Sequence, residues 1–177
     1  MQQASMATSA APSYFEPFKV PTTQTNSGYY ALVDGGVFAN NPASFAVMET
    51  IVDKKIIGEK QDLDDIFVVS LGTGSLTRKY SYDIAKNWGL FQWVQPLINI
   101  TLDGSSESVA VQLEQLLPKA QNKPPQYYRF QAFLNDANDD IDATDGSNIK
   151  NLEKLASQII AERERDLNEL CQQLVET

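Results

Sequence analysis

The chain has 177 residues, of which 42% are hydrophobic and 10% aromatic, enough for one globular domain with a sizeable core. Its 14 basic and 23 acidic residues give a net charge of −9, which argues against a nucleic-acid surface and against electrostatic docking on anionic lipid, because both need a positive face. The chain has no histidine, so it cannot itself supply a Ser-His-Asp triad or a histidine metal site.

The first residues, MQQASMATSAAP, carry neither the basic end nor the apolar core of a signal peptide. PSYFEPFKVP then sets three prolines among aromatics and reads as an irregular segment whose rings pack on something. TTQTNSG is a loop, and YYALV (29–33) is a strand by its aromatic and β-branched content. A helix is expected from about Pro42, with Asn40 or Asn41 as its cap. The apolar residues Phe45, Val47, Met48, Ile51, Val52 and Ile56 form its stripe and Gly58 stops it. IFVVSL (66–71) is a continuous apolar run, the pattern of a strand covered on both faces. Strand, helix and strand suggest a βαβ-like unit and a parallel or mixed sheet flanked by helices.

Two helices are expected next, over 83–101 and 104–117, the second stopped by Pro118. QYYRFQA (126–132) is a third strand candidate, NDANDDIDATD (135–145) an acidic loop, and 148–175 a last amphipathic helix. No run approaches the ~18 apolar residues of a membrane helix. The most apolar window, 88–102, is interrupted by Gln92, Gln95, Pro96 and Asn99. One cysteine, Cys171, cannot form an internal disulfide and allows a reducing compartment. A cytoplasmic location, at most peripheral to a membrane, is the expectation.

In DGGVFANNP, Asp34 closes a strand, where α/β folds place ligands and chemistry, and Gly35 and Gly36 allow a sharp turn close to its carboxylate. Asp-Gly pairs also make ordinary turns, and D-G-G alone favours that reading. GTGS (72–75) could cradle a phosphate, but it matches no nucleotide loop and reads better as a tight strand exit. Asp136, Asn138, Asp140 and Asp142 alternate like calcium ligands. Ile141 and Ser147, however, occupy the positions that need Gly and Glu, so a solvated charge run is expected, with no metal and no cofactor. Trp88, Phe91 and Trp93 read as core, with lipid contact as the alternative. Cys171 reads as a small core or edge residue.

Taken together, ATSAAPSYFEP (7–17), YALVDGGVFANNPASFA (30–46) and IFVVSLGTGS (66–75) resemble the patatin-like phospholipases, a family of lipid acyl hydrolases. The likeness weakens through the tryptophan helix and the last helix, and it corresponds to the C-terminal portion of the family's catalytic domain. It implies a serine–aspartate dyad in which Asp34 of the D-G-[AG] motif is the general base, with Gly35 and Gly36 forming the turn. The apolar strand before it would shield the carboxylate. The family's nucleophile lies in G-x-S-x-G and its oxyanion donors in a glycine-rich turn upstream. Neither motif occurs in this sequence, so residues 1–177 are expected to be the base-bearing part without the nucleophile-bearing part, and inactive alone.

The partners this implies are a membrane or micellar lipid substrate and, for the exposed strand edges, the missing N-terminal part or a second copy. The competing reading is a non-catalytic interaction or regulatory module of the same ancestry. A calcium- or phosphate-binding protein ranks last.

Overall fold

The computed structural model describes residues 1–76, 78–117 and 124–176. The chain divides into two units, Met1–Pro42 with Gly89–Val109, and Ala43–Trp88 with Ala110–Thr177.

In the first unit, β1 (Phe18–Pro21) and β2 (Tyr29–Leu32) pair antiparallel, Phe18 opposite Leu32 and Pro21 opposite Tyr29. The turn between them closes at Gly28, whose φ of +74° suits glycine. The hydroxyls of Thr25 and Ser27 both donate to the Tyr29 carbonyl at 3.0 Å. Helix α1 (Gln2–Thr8) packs beside β1. Residues expected to be irregular thus include a strand, and the rings of Tyr14 and Phe15 are exposed rather than packed. Exposure extends to Tyr30, Leu32 and Val33, because a two-stranded ribbon has no second layer of strands to cover both faces. The one-turn helix α2 (Gly36–Ala39) follows.

In the second unit, α3 (Ala43–Ile56) appears where its stripe predicts. It ends in a Schellman motif: Gly58, at φ +79°, donates to the Lys55 carbonyl at 3.1 Å and Glu59 to that of Lys54 at 2.8 Å. Of the stripe, Val47 is buried, whereas Phe45, Met48, Val52 and Ile56 are exposed. Strand β3 (Val68–Leu71) pairs parallel with β4 (Tyr127–Phe130), Val68 opposite Tyr127. The expected parallel pairing is therefore present, but β2 and β3 belong to separate two-stranded sheets. The βαβ expectation is not met: β2 pairs with β1 and β3 with β4. Nor is β3 covered on both faces, since Leu71 is exposed.

The core of this unit follows from the alternation of β4. Tyr128 and Phe130 point to one side and are buried with Leu170, against Phe67 and Leu167. The Phe67 and Tyr128 rings meet edge to face at 5.6 Å. The Gln173 amide donates to the Tyr128 hydroxyl at 2.8 Å. The expected last helix is two helices, α6 (Gly146–Glu162) and α7 (Glu164–Glu176). The break falls at Arg163 because no apolar residue continues the stripe between Ala161 and Leu167. There the Arg163 guanidinium lies over the Phe130 ring at 5.4 Å and pairs with Asp166 at 2.6 Å.

Asp145 caps α6, accepting from the backbone amides of Ser147 at 3.0 Å and Asn148 at 2.9 Å. Hydrogen bonds hold its carboxyl below its ordinary value of 3.8, the Ser147 side-chain bond contributing most. A depressed folded value means that this stabilisation is complete above the ordinary carboxylate range and is lost as pH falls through the lowered value. Chemical unfolding should therefore show an acid-side loss of stability that Asp145→Asn reduces.

One helix, α5 (Leu90–Leu116), replaces the expected break near residue 103 and runs through Pro96 and Gly104. Its expected stop, Pro118, lies outside the described residues. A short helix, α4 (Tyr82–Ala85), precedes it. Gly104 has nothing within 4 Å of where a Cβ would stand. Gly104→Ala is expected to stabilise by about 0.5–1 kcal/mol, measured as a raised urea midpoint.

Candidate active site

Asp34 follows β2 after Val33, and the Asp34 amide donates to the Ala10 carbonyl at 2.9 Å, tying the strand exit to the segment after α1. The chain then turns at once into α2, with the Phe38 and Ala39 amides donating to the Gly35 carbonyl at 3.0 and 2.8 Å. The carboxylate is half-buried. Its Oδ1 accepts from the Gly36 amide at 2.6 Å, a charge-assisted bond that fixes the side chain across the turn. Oδ2 accepts no hydrogen bond, and no ion pair holds the carboxylate, among the described residues.

Both glycines sit in close quarters. A Cβ at Gly36 would stand 3.0 Å from Asp34 Oδ1, and one at Gly35 would stand 3.3 Å from Thr8 Oγ1.

Asn40 and Asn41, read from the sequence as helix caps, have a further role. Asn40 Nδ2 donates to the Leu102 carbonyl at 3.4 Å, and the buried Asn41 donates to that of Ser106 at 3.2 Å. They moor the end of the Asp34 turn to successive turns of α5. Two adjacent asparagines before a proline signal a cap, and their long-range acceptors leave no mark in local sequence.

The other candidates resolve differently. The amides of Gly72, Gly74 and Ser75 in GTGS are spent on β4 and its continuation. Gly72 donates to the Phe130 carbonyl at 2.8 Å, Gly74 to Gln131 Oε1 at 2.8 Å, and Ser75 to the Ala132 carbonyl at 2.9 Å. A loop whose amides are so occupied is a strand exit, as the glycine pattern suggests, rather than a phosphate cradle.

The acidic loop is knitted to α6. Asn148 Oδ1 accepts from the Asn138 amide at 2.8 Å, Asn151 Nδ2 donates to the Asp136 carbonyl at 2.6 Å, and Asp139 pairs with Arg78. No group of three acidic or cysteine side chains suited to a metal occurs among the described residues.

Trp88 is half-buried and meets Tyr80 edge to face at 5.5 Å. Trp93 is also half-buried. Phe91, grouped with them as core, is 89% exposed. Cys171 is exposed as well, not a core residue. It sits on the outer side of α7 because Leu170 takes the core position. No helix among the described residues is long and apolar enough to cross a membrane.

No family model matches the sequence. Comparison with curated proteins finds patatin-like protein 1 of Arabidopsis thaliana, 31% identical over 181 residues, which cover 92% of this chain and 43% of that protein. Patatin-like protein 2 of the same plant is 33% identical over 85% of this chain and 40% of its own length. Patatin-like protein 2 of Oryza sativa subsp. japonica is 31% identical over 90% of this chain and 44% of its own length. The chain spans less than half the length of these relatives.

Proposed function

The chain belongs to the patatin-like family, and on that premise we propose that it carries the general-base half of a serine–aspartate lipid acyl hydrolase, with Asp34 as the base. One observation carries the reading: the half-buried carboxylate has one oxygen fixed by the Gly36 amide and the other uncommitted among the described residues. A base needs that combination of fixed direction and a free lone pair.

In the proposed reaction a serine hydroxyl from the nucleophile-bearing part of the protein attacks the carbonyl carbon of a lipid acyl ester. Its proton passes to Asp34, and a C–O bond forms as the carbonyl π bond opens to an oxyanion. Collapse expels the lipid alcohol, which takes the proton back from Asp34. Water then attacks the acyl-serine, with Asp34 accepting and returning a proton, and releases a fatty acid. Serine is a weak nucleophile without a base within hydrogen-bond reach, and a carboxylate so placed fills the part that histidine fills in a triad.

The sequence has no G-x-S-x-G and no glycine-rich oxyanion turn, which also favours a second reading, a non-catalytic module of the same ancestry. Loss of an oxyanion donor alone costs ~10²–10³ in rate. An ester-release assay separates the two readings. The chain alone should stay at background, whereas a chimera in which it replaces the matching region of patatin-like protein 1 should release acyl groups. A folded but inert chimera would favour the module, and turnover by the chain alone would overturn the dyad.

A further inference from the structure

The direction of the Asp34 carboxylate depends on the turn that carries it. Among the described residues its hydrogen bond comes from the Gly36 amide, at 2.6 Å, so the side chain is aimed by the placement of Gly36. Gly36 opens α2, a single helical turn of four residues. One such turn does not stand alone, because fixing its dihedrals costs more than its first hydrogen bonds return. Burial does little to hold it either. No residue of α2 is buried, and Val37 and Phe38 are 57% and 80% exposed. The turn is therefore held at its two ends.

At the first end the Asp34 amide donates to the Ala10 carbonyl at 2.9 Å. At the second stand Asn40 and Asn41. Asn41 is only 4% exposed, and its Nδ2 donates to the Ser106 carbonyl at 3.2 Å. A buried amide is costly unless hydrogen-bonded, so this side chain is committed to that geometry. Asn40 Nδ2 reaches the Leu102 carbonyl at 3.4 Å. Leu102 and Ser106 are four residues apart on α5 and so share one face of it. Two bonds to successive turns of a helix stop both sliding and swivelling, where a single bond would leave a pivot. Asn40 Oδ1 also lies 3.7 Å from where a Gly36 Cβ would stand. The moored side chain thus packs over the glycine that fixes the carboxylate. All of these residues belong to the first unit.

We infer that Asn41, assisted by Asn40, is a positioning residue for the general base, a role that rests on the hydrolase reading. It clamps the end of the Asp34 turn to α5 and so aims the second oxygen of Asp34 at the serine hydroxyl. A helix cap, the role that the local sequence suggests, would stabilise the fold without touching proton transfer. A positioning residue acts on the rate, since a displacement of ~1 Å at the reacting groups can cost ~10².

The test is ester turnover by the chimera with patatin-like protein 1, with Asn41→Leu placed in the parent and in its Asp34→Asn variant. Leucine is similar in size to asparagine and removes the donor. In the parent, kcat should fall about a hundredfold with KM unchanged, because the base is displaced and the lipid site is not. In the Asp34→Asn variant the same substitution should leave kcat as it is, because no base remains to be aimed. Circular dichroism checks the fold. Where Asn41→Leu does not fold, Asn40→Ala at the exposed neighbour takes its place, with a smaller fall in kcat and the same dependence on Asp34. An unchanged kcat in a folded variant, or a loss carried by KM, would overturn the positioning role. An equal loss with and without Asp34 would also overturn it and assign the asparagine to the fold alone. Full turnover by Asp34→Asn itself would instead overturn the base assignment, and the positioning role with it.

Discussion

Asp34→Asn, placed in the chimera with patatin-like protein 1, is expected to cut ester turnover by about 10²–10⁴-fold, the range that a positioned general base contributes. Asparagine keeps the shape of the side chain, and its Oδ1 can still accept from the Gly36 amide, which holds the turn at 2.6 Å in the native chain. What it lacks is an oxygen that can take a proton. The unfolding midpoint should therefore stay within the small range of a surface substitution, about 0.5 kcal/mol. Asp139→Asn is the control. That carboxylate pairs with Arg78 in the acidic loop and has no place in the reaction. Equal turnover by the chimera and its Asp34→Asn variant would remove Asp34 from the chemistry, and loss of activity together with loss of fold would assign it to the turn.

The largest expected effect on stability comes from Gly74→Ala. The backbone there has φ +107°, and an added Cβ would stand 2.5 Å from Leu134 Cδ2. Leu134 is buried, so it has little freedom to yield. Backbone strain of about 1–3 kcal/mol and overpacking of a similar size combine to a loss of roughly 2–6 kcal/mol. Gly58→Ala separates the two causes. Gly58 has φ +79° but nothing within 4 Å of its Cβ position, so it carries strain alone, about 1–2 kcal/mol. Urea unfolding of both variants measures the difference. If Gly74→Ala cost no more than Gly58→Ala, the contact with Leu134 would not be part of the folded state.

Much of the local structure is legible in the sequence because its causes are local. The strands at 29–32, 68–71 and 127–130 follow from β-branched and aromatic runs, and the end of α3 follows from Gly58. The D-G-G turn is readable in part: Gly36 lies against the Asp34 carboxylate within the turn, whereas Gly35 lies against Thr8, distant in sequence. Pairing is not legible. β2 takes a hairpin partner and β3 takes β4, and these choices depend on contacts far apart in sequence. The continuity of α5 escapes a local reading because Gly104 looks like a breaker; one exposed glycine costs only about 1 kcal/mol in a 27-residue helix. The break at Arg163 does leave a local trace, the lack of an apolar residue between Ala161 and Leu167, but the Phe130 ring that receives the guanidinium there is distant in sequence. At the site, Asp34 and its glycines stand out by their motif, whereas the mooring of Asn40 and Asn41 to α5 is visible only in three dimensions.

The central claim concerns proton transfer from a serine to Asp34, and a fluorophosphonate that phosphonylates activated serines reads it directly. Labelling kinetics should show the chimera's nucleophilic serine reacting rapidly when Asp34 is present and at least about a hundredfold more slowly in the Asp34→Asn variant, a loss in the range of general-base contributions, while residues 1–177 alone take up no label. Equal labelling rates for the chimera with and without the Asp34→Asn substitution, or a labelled serine within residues 1–177, would contradict the account.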